Sequence, residues 1–385
     1  MIFDGITDRS GTGSLKWDVK ENELPMWVAD MDFPTAPCVR QAIEKRAAHG
    51  IFGYSIIPDE WADAYINWWG KHHDLEIRRE ELIFTTGVIP ALSTAVRKFT
   101  TPAEKVVIQT PVYNIFFNSI VNNGRRVLEN PLAYRDGEYD MDFRDLEEKL
   151  ADPLTTMMIL CNPQNPAGRI WSREHLVRVG ELCKKHHVLV FSDEIHCDLT
   201  APGKNYVPFA SVSDTCRMNS ITAVAPTKAF NIAGINSAAV IVPHEGLRQR
   251  MDRALNTDEV AEPNAFAMDA TMAAFTDEGW KWLEELRAYI AGNKETVYAF
   301  LEKELPEIHA VPQDATYLMW LDVSRYTDDS SALQRFIREK TGLYVSAGAG
   351  FGGNGNRFLR LNTACPRKVL EDGLQRLKTA LSMWR

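Results

Sequence analysis

The stretch Ile221-Thr222-Ala223-Val224-Ala225-Pro226-Thr227-Lys228 decides how this chain is read. Its first four residues are an apolar run with the character of a buried strand, and a loop punctuated by Gly234 follows. A lysine just after a core strand sits at the edge of the interior, where partial burial penalises the ammonium and lowers its pKa. That setting makes lysine an imine-forming nucleophile. A lone lysine is by default a solvated surface group, so the weight of Lys228 rests on its company.

Working outward, the same pattern recurs. Leu82-Ile83-Phe84-Thr85 reads as a strand, followed by a turn at Gly87 and a helix from Pro90 to Phe99 with proline in its first turn. Val106-Val107-Ile108-Gln109 is a strand, after which Pro111-Val112-Tyr113 opens another helix. Met157-Met158-Ile159-Leu160 leads into Asn162-Pro163-Gln164-Asn165-Pro166, and Val188-Leu189-Val190-Phe191-Ser192 ends on Asp193-Glu194. Ala238-Ala239-Val240-Ile241-Val242 completes the set. Unbroken apolar strands alternating with helices predict an α/β fold whose mostly parallel sheet is covered on both faces. Ligands of such sheets bind beyond the carboxyl ends of the strands. Gly87, Asn165, Asp193 and Lys228 each follow a strand, which predicts one site.

Phe266 to Glu304 reads as a long helical region bridging to a second domain. Beyond it Tyr317 to Leu321, Gly342 to Val345 and Phe358 to Leu361 alternate with helices, the pattern of a small α+β domain. The expected division is a large domain over residues 46–285 and a discontinuous small one over 1–45 and 286–385. Within the first part, Met26-Trp27-Val28-Ala29-Asp30-Met31-Asp32-Phe33-Pro34 sets two aspartates among apolar residues, where they cap the helix from Pro37 or line a cleft. Gly50-Ile51-Phe52-Gly53-Tyr54 is a glycine-bounded loop, and Trp61 to Lys71 is a helix with an aromatic face.

A chain of 385 residues can bury a large core, and a two-domain enzyme is the natural expectation. The net charge of -9 argues against nucleic acid, because neutralising phosphates takes a basic surface. No run of eighteen or more apolar residues occurs, so no membrane span is expected. The start, Met1-Ile2-Phe3-Asp4-Gly5, lacks a charged-then-apolar leader, which points to the cytoplasm. Six scattered cysteines without a C-x-x-C read as reduced thiols. The pairs His72-His73 and His186-His187 do not face one common ligand, and no metal is expected.

The strand-end residues make chemical sense together around pyridoxal 5'-phosphate, which needs an anchoring lysine, an anionic partner for its pyridinium nitrogen, donors for its phosphate and its phenolate O3', and a ring to stack against. Lys228 supplies the anchor and Asp193 the carboxylate. The turn at Gly87-Val88-Ile89 opens a helix N-terminus whose amides suit a phosphate. Asn165, between prolines, donates to O3', and Tyr113 stacks on the ring.

The motifs Asn162-Pro163-Gln164-Asn165-Pro166-Ala167-Gly168, Ser192-Asp193-Glu194-Ile195-His196 and Ala225-Pro226-Thr227-Lys228, in this order, resemble the fold-type I pyridoxal-phosphate enzymes related to aspartate aminotransferase. With Trp27 to Phe33 and Lys228-Ala229-Phe230-Asn231-Ile232-Ala233-Gly234, the chain is similar to the MalY/PatB-type C–S lyases, the cystathionine β-lyases. The resemblance implies a seven-stranded sheet in the large domain and a homodimer in which Tyr54 of one subunit reaches the other's cofactor phosphate. It implies that Arg360 clamps the substrate carboxylate as a bidentate partner, with Ala29, Asp30 and Asn165 also on the substrate side and His196 and Thr227 by the cofactor. Three positions depart from the aminotransferase pattern: Asn236 stands for a phosphate-binding arginine, His196 for a tyrosine near O3', and Ala225 for a hydroxyl that leaves Thr227 as the nearby one.

The expected reaction is β-elimination from a sulfur amino acid, in methionine and cysteine metabolism. Lys228 acts as base, Asp193 keeps the ring protonated, and Tyr54 and Tyr113 assist proton movements. L-Cystathionine leads cystine, cysteine and other S-conjugates as substrate. The alternatives are transamination, which shares the early chemistry, and a regulatory binding protein on the same fold.

Overall fold

The computed structural model describes residues 2–384. Met1, part of the stretch read for a leader, and Arg385 lie outside the described residues. Seven strands form the central sheet in the spatial order Leu82–Thr85, Ala238–Ile241, Ser220–Val224, Leu189–Asp193, Thr155–Cys161, Lys105–Ile108, Arg126–Glu129. Ala238–Ile241 runs antiparallel to both its neighbours and every other pairing is parallel. The middle strands are buried almost along their whole length, because helices cover both faces, and so they read as unbroken apolar runs. Arg126–Glu129 escaped that reading. It is a partly exposed edge strand with charged ends, a form that protects a sheet edge from further pairing and carries little apolar signal.

Two other expectations shift locally. Pro111-Val112-Tyr113 is not helical, and the helix starts at Ile115. Val112 N donates to Phe351 O across the molecule at 2.8 Å, which holds this backbone outside the helix. The helical region after Phe266 breaks into Ala267–Ala274 and Asp277–Glu304. Thr276 caps the second helix by accepting from Gly279 N at 3.1 Å. A Cβ at Gly279 would stand 2.0 Å from Ala274 O, so only glycine lets one helix begin against the end of the other.

The second sheet is antiparallel, in the order His309–Ala310, Leu318–Asp322, Phe358–Asn362, Ser346–Ala347. Leu24–Pro25 pairs with Leu343–Tyr344, which joins this part of the N-terminal segment to the tail. The helix Pro37–His49 instead packs on Ala267–Ala274. Its N-cap is Ala36, without a side-chain bond. Asp30 and Asp32 therefore do not cap it. Their carboxylates are held by Arg9 at 2.9 Å each, and Asp32 is also held by Lys16 at 2.8 Å.

Candidate active site

The carboxyl ends of the parallel strands, the turn after Thr85 and the segment around Ala29 enclose a cavity of about 220 Å³. Lys228 lies on the turn that leaves Ser220–Val224, and its Nζ donates to Ala29 O at 2.7 Å. Tyr317 Oη donates to the same carbonyl at 3.0 Å. Burial lowers the Lys228 pKa to about 8, with Arg360 adding to the effect and Asp30 and Asp193 opposing it. The Ala29 segment is held over the lysine by Asn231, whose side chain accepts from Met31 N and donates to Met31 O and Phe33 O at 2.9–3.0 Å.

Asp193 ends its strand only 5% exposed and accepts from Ile195 N at 3.1 Å. Burial raises its pKa to about 6, against that hydrogen bond and the nearby Lys228 ammonium. Behind it, Glu194 accepts from Ser192 Oγ, Phe209 N, Asn162 Nδ2 and Tyr206 Oη. That network ties the Asn162-Pro163 loop to the Asp193 strand, and burial pushes the Glu194 carboxyl up to about 7. His196 is buried with its pKa lowered to about 3, so its ring is a neutral hydrogen-bonding group.

Tyr113, Asn165, Thr227, Ala29 and His196 line the same cavity as Lys228 and Asp193. Arg360 reaches it through Asn165, donating to Asn165 Oδ1 at 3.2 Å and to Trp27 O at 3.0 Å, with its guanidinium 4.7 Å from the Phe351 ring centre. Burial brings the Arg360 pKa down to about 10. Gly87, Val88 and Ile89 form the opposite wall, where a twelve-residue helix begins with no side-chain cap on its amides. A Cβ at Gly87 would press on Pro90 Cδ at 3.1 Å. Asn236, in left-handed backbone at φ 52°, stands beside that wall with Ser237.

Besides Arg360, which meets the cavity through Asn165, two expected residues are not brought into its lining by the chain itself. Tyr54 is fully exposed on the loop before the helix Asp59–His72. The Asp30 carboxylate is ion-paired with Arg9 at the edge of the site. Asn231 and Glu194 were not singled out as site residues, since their importance lies in partners that local sequence does not reveal. His73 Nε2 meets Asp198 Oδ1 at 2.8 Å, and Trp68 Nε1 donates to the same carboxylate at 3.0 Å.

The residues fit pyridoxal 5'-phosphate on three observations. Among the described residues His196 Nδ1 and Arg360 Nε are buried without hydrogen-bond partners, as groups that hold a ligand would be. The uncapped helix N-terminus is free to take an anion. A carboxylate, an amine and an aromatic ring converge where a heteroaromatic aldehyde needs them.

Residues 22–377 match the family model of aminotransferase class I and II. Cystathionine beta-lyase PatB of Bacillus subtilis (strain 168) is 44% identical over 99% of this chain and 100% of its own. Protein MalY of Escherichia coli (strain K12) is 33% identical over 98% of each chain. The crystal structure of cystalysin from Treponema denticola, which contains a pyridoxal 5'-phosphate cofactor, matches with a TM-score of 0.96 at 32% identity, over 100% of this chain and 99% of that one.

Proposed function

The chain belongs to the aminotransferase class I and II family, within its PatB and MalY branch of pyridoxal-phosphate-dependent C–S lyases, and on that premise we propose that it β-eliminates sulfur amino acids, L-cystathionine first among them. The products are a thiol, pyruvate and ammonia. The observation that carries this reading is the convergence of Lys228, Asp193 and Asn165, with Arg360 bonded to Asn165, on one cavity.

Bound pyridoxal 5'-phosphate supplies a protonated ring that withdraws electrons from the substrate α-carbon. Lys228 Nζ, with a pKa near 8, has an accessible neutral form and takes the α-proton as general base. Ala29 O orients that amine. Asp193, ionised above about pH 6, holds the proton on the ring nitrogen. Tyr113 gives the ring a stacking face, and Asn165 and the neutral His196 offer hydrogen bonds that bring no second positive charge. Arg360, held by Asn165 and the Trp27 carbonyl, presents its Nε and its terminal nitrogens to the substrate carboxylate, with Ala29 and Asp30 also on the substrate side. The amides of Gly87, Val88 and Ile89 with the Thr227 hydroxyl take the phosphate. Asn236 adds no charge there, and the partner subunit's Tyr54 completes that end.

The same reading makes the protein a cytoplasmic homodimer. It divides the chain into residues 46–285 and a small domain of 1–45 with 286–385, a division supported by the separate seven-stranded and four-stranded sheets.

The test is a product assay across cystathionine, cystine and cysteine without a keto acid. Steady release of pyruvate and ammonia is expected. Turnover only after adding 2-oxoglutarate would move the protein to transamination.

A further inference from the structure

A second cavity, of about 80 Å³, lies between the helix Asp277–Glu304 and two loops that meet at the isolated bridge between Thr200 and Ala315. Lys294 projects from the helix into this lining and is only 5% exposed. Among the described residues its Nζ makes one hydrogen bond, a long one of 3.3 Å to Ala315 O. An ammonium carries three donors, so a buried cation is left mostly unsatisfied, a costly arrangement unless something else pairs it.

The surrounding groups are arranged for an anion. Arg287, two turns earlier on the same helix, lines the cavity and donates to Thr200 O at 2.9 Å and Thr200 Oγ1 at 2.6 Å. Accepting from arginine leaves the Thr200 hydroxyl proton for another acceptor. The Asp314 carboxylate, which acts on Lys294 electrostatically, is paired with Lys204 at 2.9 Å. Glu295 also borders the cavity but is exposed. Gln313 also lines the cavity, and among the described residues its buried Oε1 has no donor.

We propose that this cavity binds a small oxyanion carrying one O–H, of the hydrogencarbonate class, with its anionic oxygens on Lys294 and Thr200 and its hydroxyl on Gln313 Oε1. The volume sets the size. A cavity of about 80 Å³ suits a small oxyanion such as a one-carbon acid. The site is not idle in the fold. Leu199 to Ala201 follow His196 closely in the chain. Thr316 leads into Tyr317, whose hydroxyl shares the Ala29 carbonyl with Lys228. An occupant therefore ties the loop that leads to Tyr317, beside the base, to the loop that follows His196.

Burial lowers the Lys294 pKa to about 7, with Asp314 opposing it. Arg287, Glu295 and Tyr298 on the helix and Asp314 on the facing loop are the other charged or titratable groups around it. Binding should weaken as pH rises through Lys294's pKa, since the ammonium is then lost.

The test is scanning calorimetry of the holoenzyme in sealed cells at fixed ionic strength, with sodium hydrogencarbonate as probe and sodium formate as the oxyanion lacking a hydroxyl. A saturable Tm rise is expected, about 2 °C at ten times the half-saturating concentration. It should be smaller at pH 8.5 than at pH 7 and need several-fold more formate. Lys294→Met should abolish the saturable part. Should that variant not fold, Thr200→Val, which keeps the ammonium, should weaken binding at least threefold. A rise that tracks total salt without saturating, or one unchanged in whichever of these variants folds, would overturn the proposal. The readout is independent of the lyase assay.

Discussion

The most revealing residue beyond Lys228 is Asp193, because its environment works against it until a ligand arrives. Its pKa is raised from 3.8 to about 6 by burial. The folded state thus disfavours the carboxylate, and the stability associated with the protonated form is fully present below about pH 4 and lost as pH rises through about 6. In the cofactor-free protein at pH 8 this penalty is on the order of 2–3 kcal/mol. Cofactor-free Asp193→Asn should therefore have a higher urea midpoint than the cofactor-free parent at pH 8, with the two converging near pH 4, while the cofactor-loaded variant should lose most of its lyase activity. A parent as stable as the variant at pH 8 would show that Asp193 is not strained. The position of Asp193, like those of Gly87, Asn165 and Lys228, was legible because each terminates a recognisable strand. Asn231 was not, since the backbone groups it staples lie about 200 residues away.

Among the elements, buried strands announced themselves and boundaries set by tertiary contact did not. The periodic apolar pattern from Phe266 to Glu304 runs through the break at Phe275-Thr276, and only the Thr276 cap with the Gly279 close approach marks it. Thr276→Ala should destabilise the protein by about 1 kcal/mol, seen as a lower denaturant midpoint with unchanged slope. Its kcat and KM should stay at parental values, because Thr276 does not line the catalytic cavity. A change in KM without a change in midpoint would mean that the helix start communicates with the site. Arg126–Glu129 teaches the complementary lesson: an edge strand solvated on one side need not be apolar to be a strand.

At the scale of the whole molecule, the loop carrying Tyr54 exposes Ile51, Phe52 and Ile56 at 68%, 55% and 81%. A contiguous apolar stretch of this kind favours a protein partner, in keeping with the proposed homodimer. Lys228→Ala and Tyr54→Ala homodimers should each be nearly inactive. Mixing the two variants by joint refolding should restore roughly a quarter of parental activity, because half the dimers are hybrids with one of two sites intact. Mixtures no more active than their parents would refute sharing of Tyr54 across the interface. The amino-acid sequence alone determined the α/β class, the strands whose ends carry the chemistry, the cofactor and the family, because strand patterning and strand-end residue types are short-range properties. Tertiary structure alone decided that Ala29 O sits on Lys228 Nζ from 199 residues away and that Arg360 meets Asn165 from 195. It also decided that Lys294 is buried almost without partners. Desolvation and hydrogen-bond satisfaction depend on what the folded chain brings near, and that is where the pKa values of the site are set.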